Sequence, residues 1–341
     1  MISIVVNNFN YAEFVGDAID SALAQTHPQT EVIVVDDGST DRSRAVIERY
    51  RDRVRAIYKE NHGQPSAFNA GFGESRGDVV IFLDSDDMIL RDTAARVADR
   101  FRLEPELAKV QYRLEVIDSE GRATDELVPP AQFSLSDGDL REVVLRTPDD
   151  FVFPPSSGNA YSADVVRRLF PLREDVSADA HLMNMAALLG PVATLAGIGG
   201  RYRVHSRNMY YSPTLRLESV RYRIEKNAIQ RRALAELAWS LGRVAAASEV
   251  RPTSVTDLAL RLVSLRLEPE QHPVAGDTKL GLAAGGLAAV IRHPRLPLGR
   301  RVLYGTWFVA AALAPRGASR WLSKRLIAAW RTGSLRAGSG R

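Results

Sequence analysis

The 341-residue chain contains no cysteine. Disulfides, thiolate zinc sites and cysteine nucleophiles are therefore excluded, and a reducing compartment is permitted. Any apolar run near the ~20 residues that a bilayer-spanning helix needs is also missing; the longest candidates, Gly281–Ile291 and Val302–Leu313, stop well short. No basic stretch precedes the first apolar segment, so a secretory leader is not expected and the body is expected to stay in the cytoplasm. Neither G-x-x-x-x-G-K-[ST] nor G-x-G-x-x-G follows that segment, which removes the two common loops that hold phosphates on backbone amides. The last absence is regional: from Thr278 to the end there is no acidic residue. Residues 1–215 carry 23 Lys and Arg against 33 Asp and Glu, a net of −10, whereas residues 216–341 carry 22 against 8, a net of +14. The two regions are expected to meet different partners.

With 45% hydrophobic and 25% charged residues, the chain can bury one large core and has room for a second unit. The first part alternates between strand-like and helix-like runs. Ile2–Val6 is a β-branched strand, Phe14 to Leu23 recurs at helical spacing, and Glu31–Val35 is a second strand. A helix over Ala45–Tyr50, a strand over Val54–Tyr58, a short helix over Ala67–Phe72 and a strand over Val79–Leu83 follow, with a further helix over Leu90–Arg102. This alternation predicts an α/β fold with a mostly parallel, doubly wound, Rossmann-like sheet. Ligands bind such sheets at the carboxyl ends of the strands. Polar clusters stand at those ends: Asn7-Asn8, Asp36-Asp37-Gly38-Ser39 and Asp84-Ser85-Asp86-Asp87.

The third cluster sets a physical problem. Like charges 4 Å apart repel by ~1 kcal/mol in water and several-fold more where water is displaced. A divalent cation with oxygen ligands, Mn2+ or Mg2+, resolves it and brings substrate phosphates into its shell. Capping of the following helix is the alternative use, but a cap needs one carboxylate and this site supplies three.

Four segments in order, Ile2–Asn10, Val34–Asp41, Asn61–Gly71 and Phe82–Asp87, make the chain resemble the inverting family 2 glycosyltransferases of the GT-A fold over residues 1–212. The resemblance implies an enzyme that moves a sugar from a nucleotide-diphosphate donor, UDP- or dTDP-linked, to a hydroxyl of a glycan, cell-envelope or lipid-linked acceptor. It implies that Asp37 accepts a hydrogen bond from the base, that Asn7 and Asp36 line its pocket, and that Asn10 and Ser85 belong to the donor site. Asp84 would face the ribose or sugar. Asp86, with Asp87 and His205, would hold the metal. Gly63, Gln64 and Asn69 belong to the loop and short helix over the donor; where many relatives carry an arginine, this chain has Phe68.

Further along, Pro154–Tyr161 resembles the family's acceptor-side strand and turn, with Ser157, Gly158 and Asn159 bordering the donor sugar. Arg173–Asp179 opens a helical segment where relatives place Glu-Asp; Ala178 replaces the Glu, and Asp179 stands at the position of the catalytic base, with Asp175 as its rival. In Tyr202–His205, Arg203 would meet phosphate oxygens.

Residues 213–341 are expected to form a mainly helical, basic extension. Leu217–Leu241 suits a helix that folds back on the catalytic unit or pairs with another subunit in a homo-oligomer. Trp307, Trp321 and Trp330 among arginines suit interfacial helices on an anionic membrane, at the inner face of the plasma membrane. A helical core of its own is the other reading. No nucleic-acid-reading motif is present. A sugar nucleotidyltransferase and a non-catalytic nucleotide-sugar-binding or scaffold protein remain the competing functions.

Overall fold

The computed structural model describes residues 1–147, 151–208, 216–244, 254–293 and 296–331, without the side chains of 316 and 327–331. Its contacts group into two compact units: Met1–Pro129, Leu135–Arg141 and Phe153–Asn208 form the first, and Pro130–Ser134, Glu142–Val152 and Met209–Arg341 the second. The boundary expected at 212 lies outside the described residues.

The first unit contains β1 (Ile2–Asn8), α1 (Val15–Leu23), β2 (Thr30–Asp37), α2 (Ser43–Ile47), β3 (Arg55–Lys59), α3 (Gln64–Gly73) and β4 (Val79–Asp84). These are followed by β5 (Met88–Ile89), α4 (Thr93–Leu103), β6 (Lys109–Ile117) and β7 (Ala123–Val128). After α5 (Arg141–Arg146), which falls in the second unit from Glu142 on, the first unit continues with β8 (Asn159–Ser162), α6 (Ala163–Leu169), α7 (Ala178–Leu189) and β9 (Val192–Arg203). The sheet runs β3-β2-β1-β4-β8-β6-β9-β5, with β7 paired to β6. Its first four strands are parallel, and β8 is antiparallel to both β4 and β6.

Both faces of this sheet are covered, which explains why β4 reads as an unbroken apolar run rather than an alternating one. Val79, Ile81 and Leu83 pack with α1 and α4 residues on one side. On the other, Phe82 stacks on Phe68 of α3 at 4.2 Å between ring centres, so Phe68 is core. Gly71 lets α3 approach this closely, because a Cβ there would sit 2.2 Å from Val5 Cγ1. The helix expected over Leu90–Arg102 starts later. β5 intervenes, and Asp92 precedes α4 without a side-chain cap. None of the three acids after β4 caps it.

The second unit holds α8 (Leu217–Ser240), α9 (Val255–Leu267), α10 (Lys279–Arg292), α11 (Leu298–Leu313) and α12 (Arg316–Arg331). α9 is its central helix, with nine buried residues. Ile224, Leu260, Leu262 and Phe308 are fully or almost fully buried around it. Trp307, expected at a headgroup surface, belongs to this core: it is buried, and its indole N–H donates to the Leu322 carbonyl at 3.2 Å. Trp321 is exposed beneath Arg325, while Pro294 and the Trp330 side chain lie outside the described residues. Among the described residues no helix is long and apolar enough to cross a membrane.

Candidate active site

Register brings the polar clusters together. Asn7 of β1 lies beside Asp84 of β4, and Asn8 beside Asp36 of β2, so three strand ends meet at one edge. Asp84 Oδ1 accepts from Asn7 Nδ2 at 2.9 Å and from Gln64 Nε2 at 3.1 Å. Its partners are neutral amides, and burial followed by the charge of Asp86 pushes its carboxyl up to about 7. Asn7 Oδ1 and Ser85 Oγ are buried without a partner among the described residues. Such orphaned groups cost ~1–3 kcal/mol each unless a ligand or water satisfies them.

Asp86 is met by the segment after β9. His205 Nδ1 accepts the Arg207 backbone N–H at 3.2 Å, which puts the neutral ring's proton on Nε2, 3.1 Å from Asp86 Oδ2. The ring is wedged against Tyr11 and Phe14, at 5.3 and 4.9 Å between centres. Asn208 Nδ2 reaches the same Asp86 oxygen at 3.4 Å. Asn208 and Tyr11 were not anticipated; the three-residue spacing from His205 to Asn208 was the available sign.

Several residues expected to meet a ligand make contacts within the chain. Asp87 accepts Arg203 N–H on Oδ1 at 3.0 Å and the Ser157 hydroxyl on Oδ2 at 2.6 Å, and it is 1% exposed. It is a brace across the sheet rather than a free metal ligand. Arg203 is 2% exposed and fully committed: Nε donates to Asp86 O, Nη1 to Ser119 O and Nη2 to Asp17 Oδ2. All three of its nitrogens face groups of the chain. Asp37 accepts from Lys59 Nζ and His62 N on Oδ1 and from Gly63 N on Oδ2, which ties β2 to the loop before α3. Asp36 takes Asn8 Nδ2 and the Ser39 hydroxyl.

Asn10, at φ 59, accepts Thr40 N–H and Asp41 N–H on its side chain and so clamps the turn after β2. Gly38 in that turn has φ 77, and a Cβ would sit 2.6 Å from Asn61 N. Asn69 exchanges two hydrogen bonds with the backbone of Leu172, at 2.8 and 2.7 Å. It positions the segment leading to α7 rather than touching the donor site. The common cause is that strand-end polar side chains satisfy the loop amides that no strand can pair.

Asp179 lies in the first turn of α7, its Oδ1 accepting the Ser177 hydroxyl at 2.6 Å and Ala180 N–H at 2.7 Å. Its charge bears on Asp84 and on buried Tyr161. Asp175 instead pairs with Arg173 at 2.6 Å. Ser157 also accepts Asp84 N–H at 3.1 Å, so one hydroxyl bridges both ends of the acidic run. Asn159 donates to the carbonyls of Pro155 and Ser156 and accepts from the buried Lys109 Nζ at 2.9 Å.

A hard cation fits the carboxylate of Asp86, and His205 joins it through Nε2 only when the ring proton moves to Nδ1 and the Arg207 N–H contact is given up. Mg2+ and Mn2+ need only one or two carboxylates from a protein and take substrate oxygens for the rest. Among the described residues no group of three or more His, Asp or Glu is arranged as a complete metal cage.

Comparison with known proteins agrees with this geometry. The description of glycosyl transferase family 2 matches residues 3–169. An uncharacterized glycosyltransferase of Nostoc is 38% identical over 218 residues, 62% of this chain and 67% of its own length. The chain belongs to glycosyltransferase family 2. It is also 28% identical over 149 residues, 42% of its length, to Bacillus subtilis TuaG, whose name places it in teichuronic acid biosynthesis; this covers 59% of TuaG. Among solved structures, S. aureus TarS 1–349 in complex with UDP superposes with a TM-score of 0.52 at 17% identity, covering 94% of this glycosyltransferase and 91% of TarS. The complex with UDP-GlcNAc gives 0.52 at 18%, over 97% and 92%. The transferase thus has the GT-A fold, with a helical C-terminal part.

Proposed function

We propose that this glycosyltransferase moves a sugar, with inversion, from a nucleoside-diphosphate donor to a hydroxyl of a cell-envelope or lipid-linked glycan. One observation carries the reading: Asp84 and Asp86 stand at one strand edge, the charge of Asp179 bears on Asp84, and among the described residues no Lys or Arg donates to their carboxylate oxygens. An enzyme keeps acids uncompensated where a charged ligand completes them. Asp86 and His205 would hold Mn2+ or Mg2+, which when bound offsets the negative charge of the diphosphate. Asn7 Oδ1 and Ser85 Oγ offer buried polar atoms to the donor. Asp179 takes the proton from the acceptor hydroxyl as that oxygen attacks the anomeric carbon and the nucleoside diphosphate leaves. The Ser177 and Ala180 contacts hold one of its oxygens in place and leave the other outside those two bonds.

Donors carrying uracil are the first to test, because TarS was solved with UDP and UDP-GlcNAc; thymine nucleotides come next. A glycan acceptor of the envelope is supported by the likeness to TuaG. The basic second unit supports work at an anionic membrane surface.

The decisive experiment scores a panel of UDP-, dTDP- and GDP-sugars with Mn2+ or Mg2+ for release of nucleoside diphosphate, in wild type and Asp179→Asn. The variant should bind donor normally and lose about 10²–10⁴-fold in rate. Release of pyrophosphate, or a variant as active as wild type, rejects the assignment.

A further inference from the structure

Exposed large apolar side chains are unevenly distributed. Of thirteen among the described residues, eight lie between Leu280 and Trp321. On α11, Leu298, Val302, Val309 and Leu313 follow one another at spacings of four, seven and four residues, which puts them on one face. The opposite face, with Tyr304, Phe308 and Ala311, is buried in the core of the second unit. On α10, Leu280 and Ile291 stand three helical turns apart and are 70% and 66% exposed. A groove of about 750 Å³ runs between the two helices, walled by Leu287, Val290, Ile291, Leu298, Val302 and Val309.

The groove offers hydrocarbon and almost nothing else. Its two polar lining side chains are committed to the chain: Thr306 donates to Val302 O, and the Arg301 guanidinium to the carbonyls of Ile291, His293 and Leu296. The surroundings are cationic. Lys279 and Arg292 adjoin Leu280 and Ile291 on α10, Arg320, Lys324 and Arg325 of α12 are exposed in the same unit, and no acidic residue follows Asp277. Arg300, half-buried in α11, has Nη1 without a partner among the described residues.

An apolar surface of this extent is not left bare on a soluble domain. A second copy of the same face would set one acid-free basic surface against another. A bilayer of anionic lipid satisfies both parts at once, with acyl chains against the stripe and headgroup phosphates on the bases. We propose that the exposed face of α10 and α11 is the site by which this protein docks, without crossing, on an anionic lipid bilayer. The proposal rests on the membrane part of the reading above and names the surface responsible.

The test is co-sedimentation of the full chain with vesicles of equal parts phosphatidylglycerol and phosphatidylcholine, and with vesicles of phosphatidylcholine alone. Wild type should pellet with the first and remain in solution with the second. The double substitution Val302→Asp and Val309→Asp should reduce pelleting at least tenfold, and Leu298→Ser should reduce it less; both positions of the pair are exposed, and a retained Tm shows that the fold persists. Release of nucleoside diphosphate from the donor, measured without vesicles, should be unchanged in all three proteins. Wild type that ignores both vesicles while still releasing nucleoside diphosphate overturns the docking surface and leaves the enzymatic assignment standing. Undiminished pelleting of the double variant also overturns it, as does a dimer that the double substitution converts to monomer.

Discussion

Two groups of buried acids invite comparison. In the second unit, Asp257 pairs with Arg231 at 3.0 Å and with Asn227 at 3.1 Å. Asp277 pairs with Arg261 and with His272 Nε2 at 2.9 Å, while His272 Nδ1 meets the Ser264 hydroxyl at 3.1 Å. Burial raises the Asp277 carboxyl, but hydrogen bonds from Arg261 and His272 outweigh it and hold the group below its ordinary value. In the first unit, Asp84 has only amides beside it and its carboxyl is raised. Asp87 has an N–H and a hydroxyl, and burial followed by Asp86 and Asp84 raises its carboxyl well above the ordinary value. The serine, histidine and aspartate of the second unit look like hydrolytic machinery by residue type, yet every charge is answered internally and Ser264 is 1% exposed. Asp84 and Asp86 receive no Lys or Arg among the described residues, and that distinguishes a place for a charged ligand from an internal tie.

The comparison breaks most visibly at Asp86. Asp86→Ala should reduce donor turnover by about 10²–10³-fold, the scale of losing a preorganised electrostatic contact, and should remove the thermal shift given by Mn2+ with donor; an unchanged shift would show that the cation is held elsewhere. Next is the answered cluster. Asp277→Asn leaves Arg261 and His272 without their carboxylate and should cost about 3–5 kcal/mol, read by denaturant unfolding, while the folded fraction keeps its turnover. Loss of turnover without loss of stability there would erase the distinction drawn here.

Asp84→Asn should do the reverse of Asp277→Asn. The raised carboxyl means that from about pH 4 to 7 the folded state keeps a proton that the unfolded state has released, so the unliganded protein loses stability as pH rises across that window. At pH 8 the neutral variant should therefore gain about 1–3 kcal/mol while losing activity, and its Tm should be flatter with pH than that of wild type. A wild-type Tm that climbs over the same range contradicts the sign. Smallest is Ser157→Ala, which removes the hydroxyl between Asp84 N–H and Asp87. We expect about 1 kcal/mol and about tenfold in turnover, checked by melting and by kcat and KM measured separately.

The four parallel strands, the helices before Asp84 and the family were legible in the order of residues, because buried parallel strands and strand-end acids write themselves as continuous apolar runs followed by carboxylates; β5, β6, β7 and β9 were not. Asp86 meets His205, and the charges of Asp86 and Asp179 both bear on Asp84. The division of labour among neighbours was not legible. Asp36, Asp37, Asp87, Asn69 and Arg203 are chemically able to bind a donor or a metal, and only their three-dimensional partners show them tying loops together. Ser157 meets Asp87 across 70 residues, and Arg203 meets Asp17 across 186. Composition also made Trp307 equally suited to a membrane or a core; packing placed it inside and left Leu298, Val302 and Val309 outside. Local order carries periodicity and residue chemistry. Which hydrogen-bonding groups are already satisfied depends on partners brought from distant positions, and that is settled only when the chain closes on itself.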